Sequence, residues 1–215
     1  MDGSFSVSGL ISVVQQIFQS QITFGTSGNV SERDDDRDGF WITPSGVSWR
    51  DIADESLVKI TAGAVTGNLR PSTEWRAHQA LYERHPWIGG VVHLHSPYAT
   101  ILSVVGSPVK AVHYQMARVA DEVPVLPYTT FGTNELAQSV AQALSPQVRA
   151  ALVANHGLFA VGDSVQSAWT AAREVEWTAM IQYHAMLIAA PAVLSPGQLQ
   201  AVRDAMAHYG QAPTP

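Results

Sequence analysis

The sequence predicts an α/β fold: one domain with a mostly antiparallel central sheet flanked by helices. Three observations carry that expectation. Apolar runs of strand length intermingle with helix-length amphipathic segments, without the regular strand–helix–strand rhythm of a parallel sheet. A chain of 215 residues, 46% of them hydrophobic, is long enough for one substantial core and shows no sign of two. Two apolar runs, 91–95 and 151–157, share a design in which a strand ends at histidine.

The elements follow in order. Leu10, Val13, Val14 and Ile17 have helical spacing, so residues 10–18 predict an amphipathic helix. Gly25, Gly28 and Asn29 punctuate the next loop, being residues that tolerate positive φ. Residues 30–31 and 39–43 flank an acidic run, 32–38, and predict a hairpin with a solvated tip. Asp34, Asp36, Asp38 and Gly39 imitate the start of a calcium loop, but its twelfth position is Ser45 rather than glutamate. Residues 56–60 and 64–66 predict strands around a turn at Ala62-Gly63. Ser72 is placed to cap a helix running to His85, which Pro86 ends. A strand at 91–95 and a helix at 99–105 come next. Residues 109–113 and 123–126 predict strands, the second at an edge because Pro124 lacks a donor for a ladder. A helix over 134–144, a strand over 151–155, a long helix over 164–189 and a last helix from Ser195 or Pro196 to Tyr209 complete the pattern. Residues 1–9 and 211–215 are expected to be flexible tails.

Composition excludes several classes of function. Lys and Arg number 12 against 18 Asp and Glu, a net charge of −6 that argues against a nucleic-acid partner. No cysteine is present, which agrees with a cytoplasmic protein and rules out a disulfide framework. The first five residues lack the basic start and apolar run of a signal peptide. No run reaches the roughly 20 apolar residues of a membrane helix. A soluble, cytoplasmic protein with no membrane partner is expected. Its charged residues, 14% of the chain, are sparse enough to fit an oligomer.

The histidines carry the chemistry. Alternation along 91–95 puts His93 and His95 on one face of a buried strand. Taken singly each would be packing; two side by side in apolar surroundings need partners, and a metal satisfies both. His156 on another strand completes a three-ligand set with an open position, the pattern of a catalytic zinc site. Shared coordination requires the His93 and His156 imidazoles within roughly 6 Å, since zinc–nitrogen bonds are about 2.0–2.1 Å. Glu74 offers a carboxylate near a helix start, where the helix dipole alone would also favour one. His78, His85, His184 and His208 read as helix-surface or helix-end residues without a functional role.

Six segments occur here in an order similar to that of the class II aldolase/adducin superfamily: Gly28-Asn29-Val30-Ser31, Ile42-Thr43-Pro44-Ser45-Gly46, Pro71-Ser72-Thr73-Glu74-Trp75-Arg76, His93-Leu94-His95-Ser96, Tyr128-Thr129-Thr130-Phe131-Gly132-Thr133 and Asn155-His156-Gly157-Leu158. The resemblance runs from about Leu10 to near Tyr209. It implies an α/β/α sandwich and one Zn2+ per subunit, with Mn2+ or Co2+ as substitutes, held by His93, His95 and His156. Glu74 would be the acid/base, able to approach the metal when no substrate is bound. The substrate would be a phosphorylated sugar, cleaved by an aldolase (a lyase) to dihydroxyacetone phosphate and a short aldehyde. Asn29, Gly28, Thr43, Ser45, Gly46, Ser72 and Thr73 match the phosphate site, although capping and turn chemistry would employ the same residues. Tyr114 would reach a neighbouring subunit's site in a homotetramer with sites at subunit interfaces. Phe131 and Tyr209 would contact the aldehyde half. The superfamily also holds a methylthioribulose-1-phosphate dehydratase, pentulose-phosphate 4-epimerases and metal-free adducin-like interaction modules. Glu74-Trp75-Arg76, Ala111-Val112-His113-Tyr114 and the 128–133 segment favour the fuculose-phosphate branch, and three retained histidines weigh against the adducin-like reading.

Overall fold

The computed structural model describes residues 8–208. Eight strands form one sheet. They are β1 (Asn29–Arg33), β2 (Gly39–Ile42), β3 (Val58–Thr61), β4 (Ala64–Thr66), β5 (Gly90–Leu94), β8 (Val125–Leu126), β9 (Ala150–Val153) and β10 (Gly157–Gly162). Their order across the sheet is β4-β3-β2-β1-β5-β10-β9-β8. Every neighbouring pair is antiparallel except β8 with β9. A separate two-stranded ribbon pairs β6 (Val109–Lys110) with β7 (Glu122–Val123).

Helices cover both faces. Val30, Val92, Leu94, Leu152, Leu158 and Ala160 point from the sheet toward α1 (Ser8–Ser20), α3 (Pro97–Val104) and α5 (Val165–Met186). Phe40, Ile42, Val58, Ile60, Val91, Phe159 and Val161 point the other way, toward α2 (Trp75–Arg84) and α4 (Asn134–Ala143). The alternation of the strands thus separates two cores and makes a three-layer α/β/α domain. Leu10, Val13, Val14 and Ile17 of α1 are all fully buried, as their spacing predicts. Each such side chain contributes about 1.5–3 kcal/mol by leaving water. Ser164 caps α5 by accepting from Ser167 N while Ser167 Oγ accepts from Ser164 N. The last helix, α6 (Pro196–Met206), begins with Pro196 after the Ser195 cap. The turn between β3 and β4 places Ala62 and Gly63 at φ 48° and 79°, the double positive-φ turn that suits a two-residue hairpin.

Several expectations need correction. The sequence reading lacks a strand at 157–162, yet β10 is there, six residues long and wholly buried beside β5. The 123–126 run is not one strand: Pro124 divides it, sending Glu122–Val123 to the ribbon and Val125–Leu126 to the sheet edge. The 109–113 strand stops at Lys110, and Tyr114 lies in a 3-10 turn, Tyr114–Arg118. Helix α2 starts at Trp75, so Glu74 occupies its cap position. Helix α1 begins at Ser8, inside the expected tail. The acidic hairpin tip is not uniformly solvated. Asp34 is buried, accepts from Gly39 N at 3.1 Å and pairs with Lys59 at 3.0 Å.

Candidate active site

Strand β5 delivers His93, and its next alternate position, one residue past the strand, delivers His95. The tight turn from β9 to β10 delivers His156, with Asn155 before it at φ 57°. Glu74 arrives from the opposite helical layer at the start of α2. The three imidazole centroids form a near-equilateral triangle: 5.0 Å from His93 to His95, 4.9 Å from His93 to His156, and 5.0 Å from His95 to His156. The His93–His156 separation is within the limit for shared coordination. Glu74 Oε2 lies 2.9 Å from His93 Nε2, and Oε1 lies 3.3 Å from His156 Nε2. His93 Nε2 is also 3.2 Å from His95 Nε2.

Second partners orient these groups. His93 is fully buried, stacks on Phe159 at 4.1 Å, and donates from Nδ1 to the Leu158 carbonyl at 3.0 Å. That bond commits the Nδ1 proton and turns the Nε2 lone pair to the cluster. Burial, with His93 next to them, lowers His95 and His156 to about 4 despite the opposing pull of Glu74, so both are neutral at pH 7. Burial works against ionisation of Glu74, but His93 above all, then His156 and the Asn29 amide, hold its carboxyl well below the usual range. Oε1 of Glu74 accepts no hydrogen bond although it is buried. Lone pairs of three nitrogens and a carboxylate therefore converge, one candidate atom from each residue, all within 4.8 Å of one another. Acceptors do not face one another stably in a buried place unless a cation lies among them. The donor set suits a borderline divalent metal.

A cleft of about 420 Å³ opens above the cluster. Gly28, Asn29, Ser45, Gly46, Ser72 and Thr73 line it, joined by Phe131. Thr43 does not line it; its hydroxyl is buried and accepts from Val30 N at 3.1 Å, tying β1 to β2. Gly28, at φ 89°, has no room for a side chain, since a Cβ would fall 2.6 Å from the His93 carbonyl. Ser72 Oγ accepts the Glu74 amide at 3.3 Å, which leaves its own proton to donate. Tyr114 is half exposed and lines a different hollow with Val202 and Met206, away from this cluster. Tyr209 lies outside the described residues. Sequence reasoning missed Asn155, Tyr128 and Thr129 as cleft residues. It also placed His78 on a helix surface, whereas His78 is fully buried beside Asn29. Its position on the α2 face shared with Leu81 and Tyr82 was the available signal.

The family described as Class II Aldolase and Adducin N-terminal domain matches residues 8–183. The chain belongs to this family. Similar curated proteins include the 5-methylthioribulose-1-phosphate/5-deoxyribulose-1-phosphate aldolase of Rhodospirillum rubrum, 35% identical over 96% of this chain and 95% of that one. The L-fuculose phosphate aldolase of Escherichia coli K12 is 36% identical over 86% of both chains. Among solved structures, an L-fuculose 1-phosphate aldolase superposes with a TM-score of 0.88 at 33% identity, covering 93% of this chain and 95% of that one. This class II aldolase family member therefore shares both sheet and helical layers with that enzyme, and its relatives act on phosphorylated sugars under two different substrate names. No helix among its described residues is long and apolar enough to cross a membrane.

Proposed function

We propose that the protein is a metal-dependent lyase that cleaves a ketose 1-phosphate, of the L-fuculose 1-phosphate type, to dihydroxyacetone phosphate and a short aldehyde. The observation that carries this reading is the convergence of His93, His95, His156 and Glu74 at the floor of a polar cleft. The imidazoles would hold Zn2+, which when bound supplies Lewis-acid polarisation of the ketone oxygen. The phosphate would sit on the Ser45-Gly46 and Ser72-Thr73 side, where hydroxyls and the start of α2 attract an anion despite the negative net charge. Phe131 and Tyr128, both exposed on the rim, offer an aromatic wall to the aldehyde half. That wall suits an aldehyde with an apolar end, such as the methylthio or deoxy end named for the Rhodospirillum rubrum relative.

In cleavage, the C4 hydroxyl loses its proton, the C3–C4 bond breaks, and its electrons pass into the C2–C3 enediolate. Glu74, a carboxylate at rest, would take up a proton from solvent and then give it to C3, which releases dihydroxyacetone phosphate. Tyr114 of a neighbouring copy would take the C4 hydroxyl proton as its own phenolic proton passes to solvent, so we place the site at an interface of a homotetramer, working in the cytoplasm. Tyr114 stands half exposed and apart from its own chain's cluster, as a residue meant for a neighbour would.

The test is metal analysis of the purified protein followed by a screen of ketose 1-phosphates for dihydroxyacetone phosphate. The expected result is one divalent ion per chain and two fragments from a deoxyketose 1-phosphate. Loss of water instead would assign a dehydratase, and conserved mass an epimerase; either product would overturn the aldolase reading.

A further inference from the structure

A buried chain of hydrogen bonds ends on Glu74. Asn29 Nδ2 donates to Glu74 Oε2 at 3.1 Å. The other side of that amide, Oδ1, lies 2.5 Å from His78 Nε2. His78 Nδ1 is 2.6 Å from Ser31 Oγ, and Ser31 Oγ is 2.8 Å from the Tyr82 hydroxyl. All four residues are buried, with Ser31 and His78 fully so. At the far end the Arg33 guanidinium lies 4.7 Å over the Tyr82 ring and donates to the Tyr82 carbonyl at 2.7 Å.

Chemistry fixes the direction of every bond. A carboxylate only accepts, so the Asn29 amide must turn its N–H to Glu74 and its oxygen to His78. His78 must then carry its proton on Nε2, which leaves Nδ1 as an acceptor for the Ser31 hydroxyl. Ser31, having donated, accepts from Tyr82. Burial first, and then His93, lower His78 to about 3, so it holds one proton only and the direction cannot reverse. If the amide flipped, its oxygen would face Glu74, and two buried groups would lose their partners.

We infer that His78 is a positioning residue for the reaction proposed above: it locks the Asn29 amide onto Glu74 Oε2 and leaves Oε1 as the free oxygen for proton transfer. Oε1 is the buried carboxylate oxygen without a hydrogen bond. The inference rests on Glu74 being the proton-transfer group. It gives Asn29 a role besides any contact with phosphate, because its oxygen and one N–H are already committed.

The experiment follows proton transfer without the aldehyde, by exchange of the hydroxymethyl C–H of dihydroxyacetone phosphate with D2O, read by NMR on metal-loaded protein. His78→Leu should slow exchange about 10–100-fold, the usual cost of removing an orienting partner, with half-saturation within about twofold and metal content unchanged. His78→Gln, whose terminal amide can donate where Nε2 did, should recover most of the rate. Nitrogen-15 spectra of the wild-type imidazole should show the His78 proton on Nε2. Should His78→Leu fail to fold, Ser31→Ala frees the tautomer and should itself slow exchange by about tenfold. A proton on Nδ1, wild-type exchange in His78→Leu, wild-type exchange in Ser31→Ala, or equal losses in the Leu and Gln variants would overturn the inference alone. No exchange by the wild-type protein would sink the aldolase reading, and this inference with it.

Discussion

Glu74 has three kinds of neighbour: the imidazoles of His93 and His156, the Asn29 amide that donates to it, and Ser72, whose hydroxyl accepts from its backbone amide. Replacing it by glutamine preserves shape but removes the group that can exchange a proton with carbon. Glu74→Gln should therefore fold and retain metal while cleavage falls about 10²–10⁴-fold. Wild-type turnover in that variant would strip Glu74 of the role. His78 makes a separate prediction about stability. Its folded value is about 3 against an ordinary 6.5, so above pH 6.5 neither folded nor unfolded chain binds the proton. As pH falls below that, the unfolded chain takes it up and the folded chain does not, and stability is lost until the folded value is passed. Between pH 7 and pH 5 this amounts to about 2 kcal/mol. Denaturant titration of metal-stripped protein should show wild type losing that much more than His78→Gln over the interval. Parallel losses in the two proteins would mean that the buried imidazole titrates normally.

At the scale of elements, the β5–α3 turn that carries His95 is pinned from a distance. Both oxygens of buried Glu176, on α5, accept from the first amides of α3: Tyr98 N and Ala99 N, each at 2.9 Å. Glu176→Ala should cost about 2 kcal/mol or more, because two charge-assisted bonds go and two amides at a helix start lose their partner. The same variant should weaken metal binding measurably, a readout that simple loss of a helix cap elsewhere, as in Ser195→Ala, should leave unchanged. Nothing near Glu176 in the chain signals this contact, since the partners are 77 and 78 positions apart. Local pattern served better where the cause was local. The α1 face, the Ala62-Gly63 turn and the β5 alternation could all be read from spacing. Strand β10 could not, because glycines at both ends of 157–162 resemble loop punctuation and a strand buried on both faces shows no alternation. His78 was misplaced for a related reason: a polar residue on a helix reads as exposed until its buried partners from β1 are in view. The four residues that converge were legible, His93 and His95 from spacing and motif together, His156 and Glu74 mainly from their motifs.

Taken whole, one chain supplies the cluster and the cleft but leaves Tyr114 on another surface. If a neighbour's tyrosine completes the site, two inactive variants, His93→Ala and Tyr114→Phe, should regain partial activity once their subunits have exchanged. Mixed interfaces would then pair an intact metal centre with an intact phenol. No recovery after verified exchange would confine Tyr114 to packing. A different consequence follows from where the imidazoles are mounted. Strand β5 is paired on both sides, by β1 and β10, and β10 in turn by β5 and β9, so two of the central strands of the sheet carry or orient His93 and flank His156. The cleft wall, by contrast, comes from loops around residues 26–28 and 128–132. Backbone amides in the middle of such a sheet open to solvent only when the domain unfolds, while loop amides open on their own. Chelating the metal should therefore leave deuterium uptake at residues 90–94 and 157–162 as slow as before, and quicken it in the two loops. The cluster would then be a rigid socket that survives emptying, one whose ion can be withdrawn and replaced without refolding the protein around it.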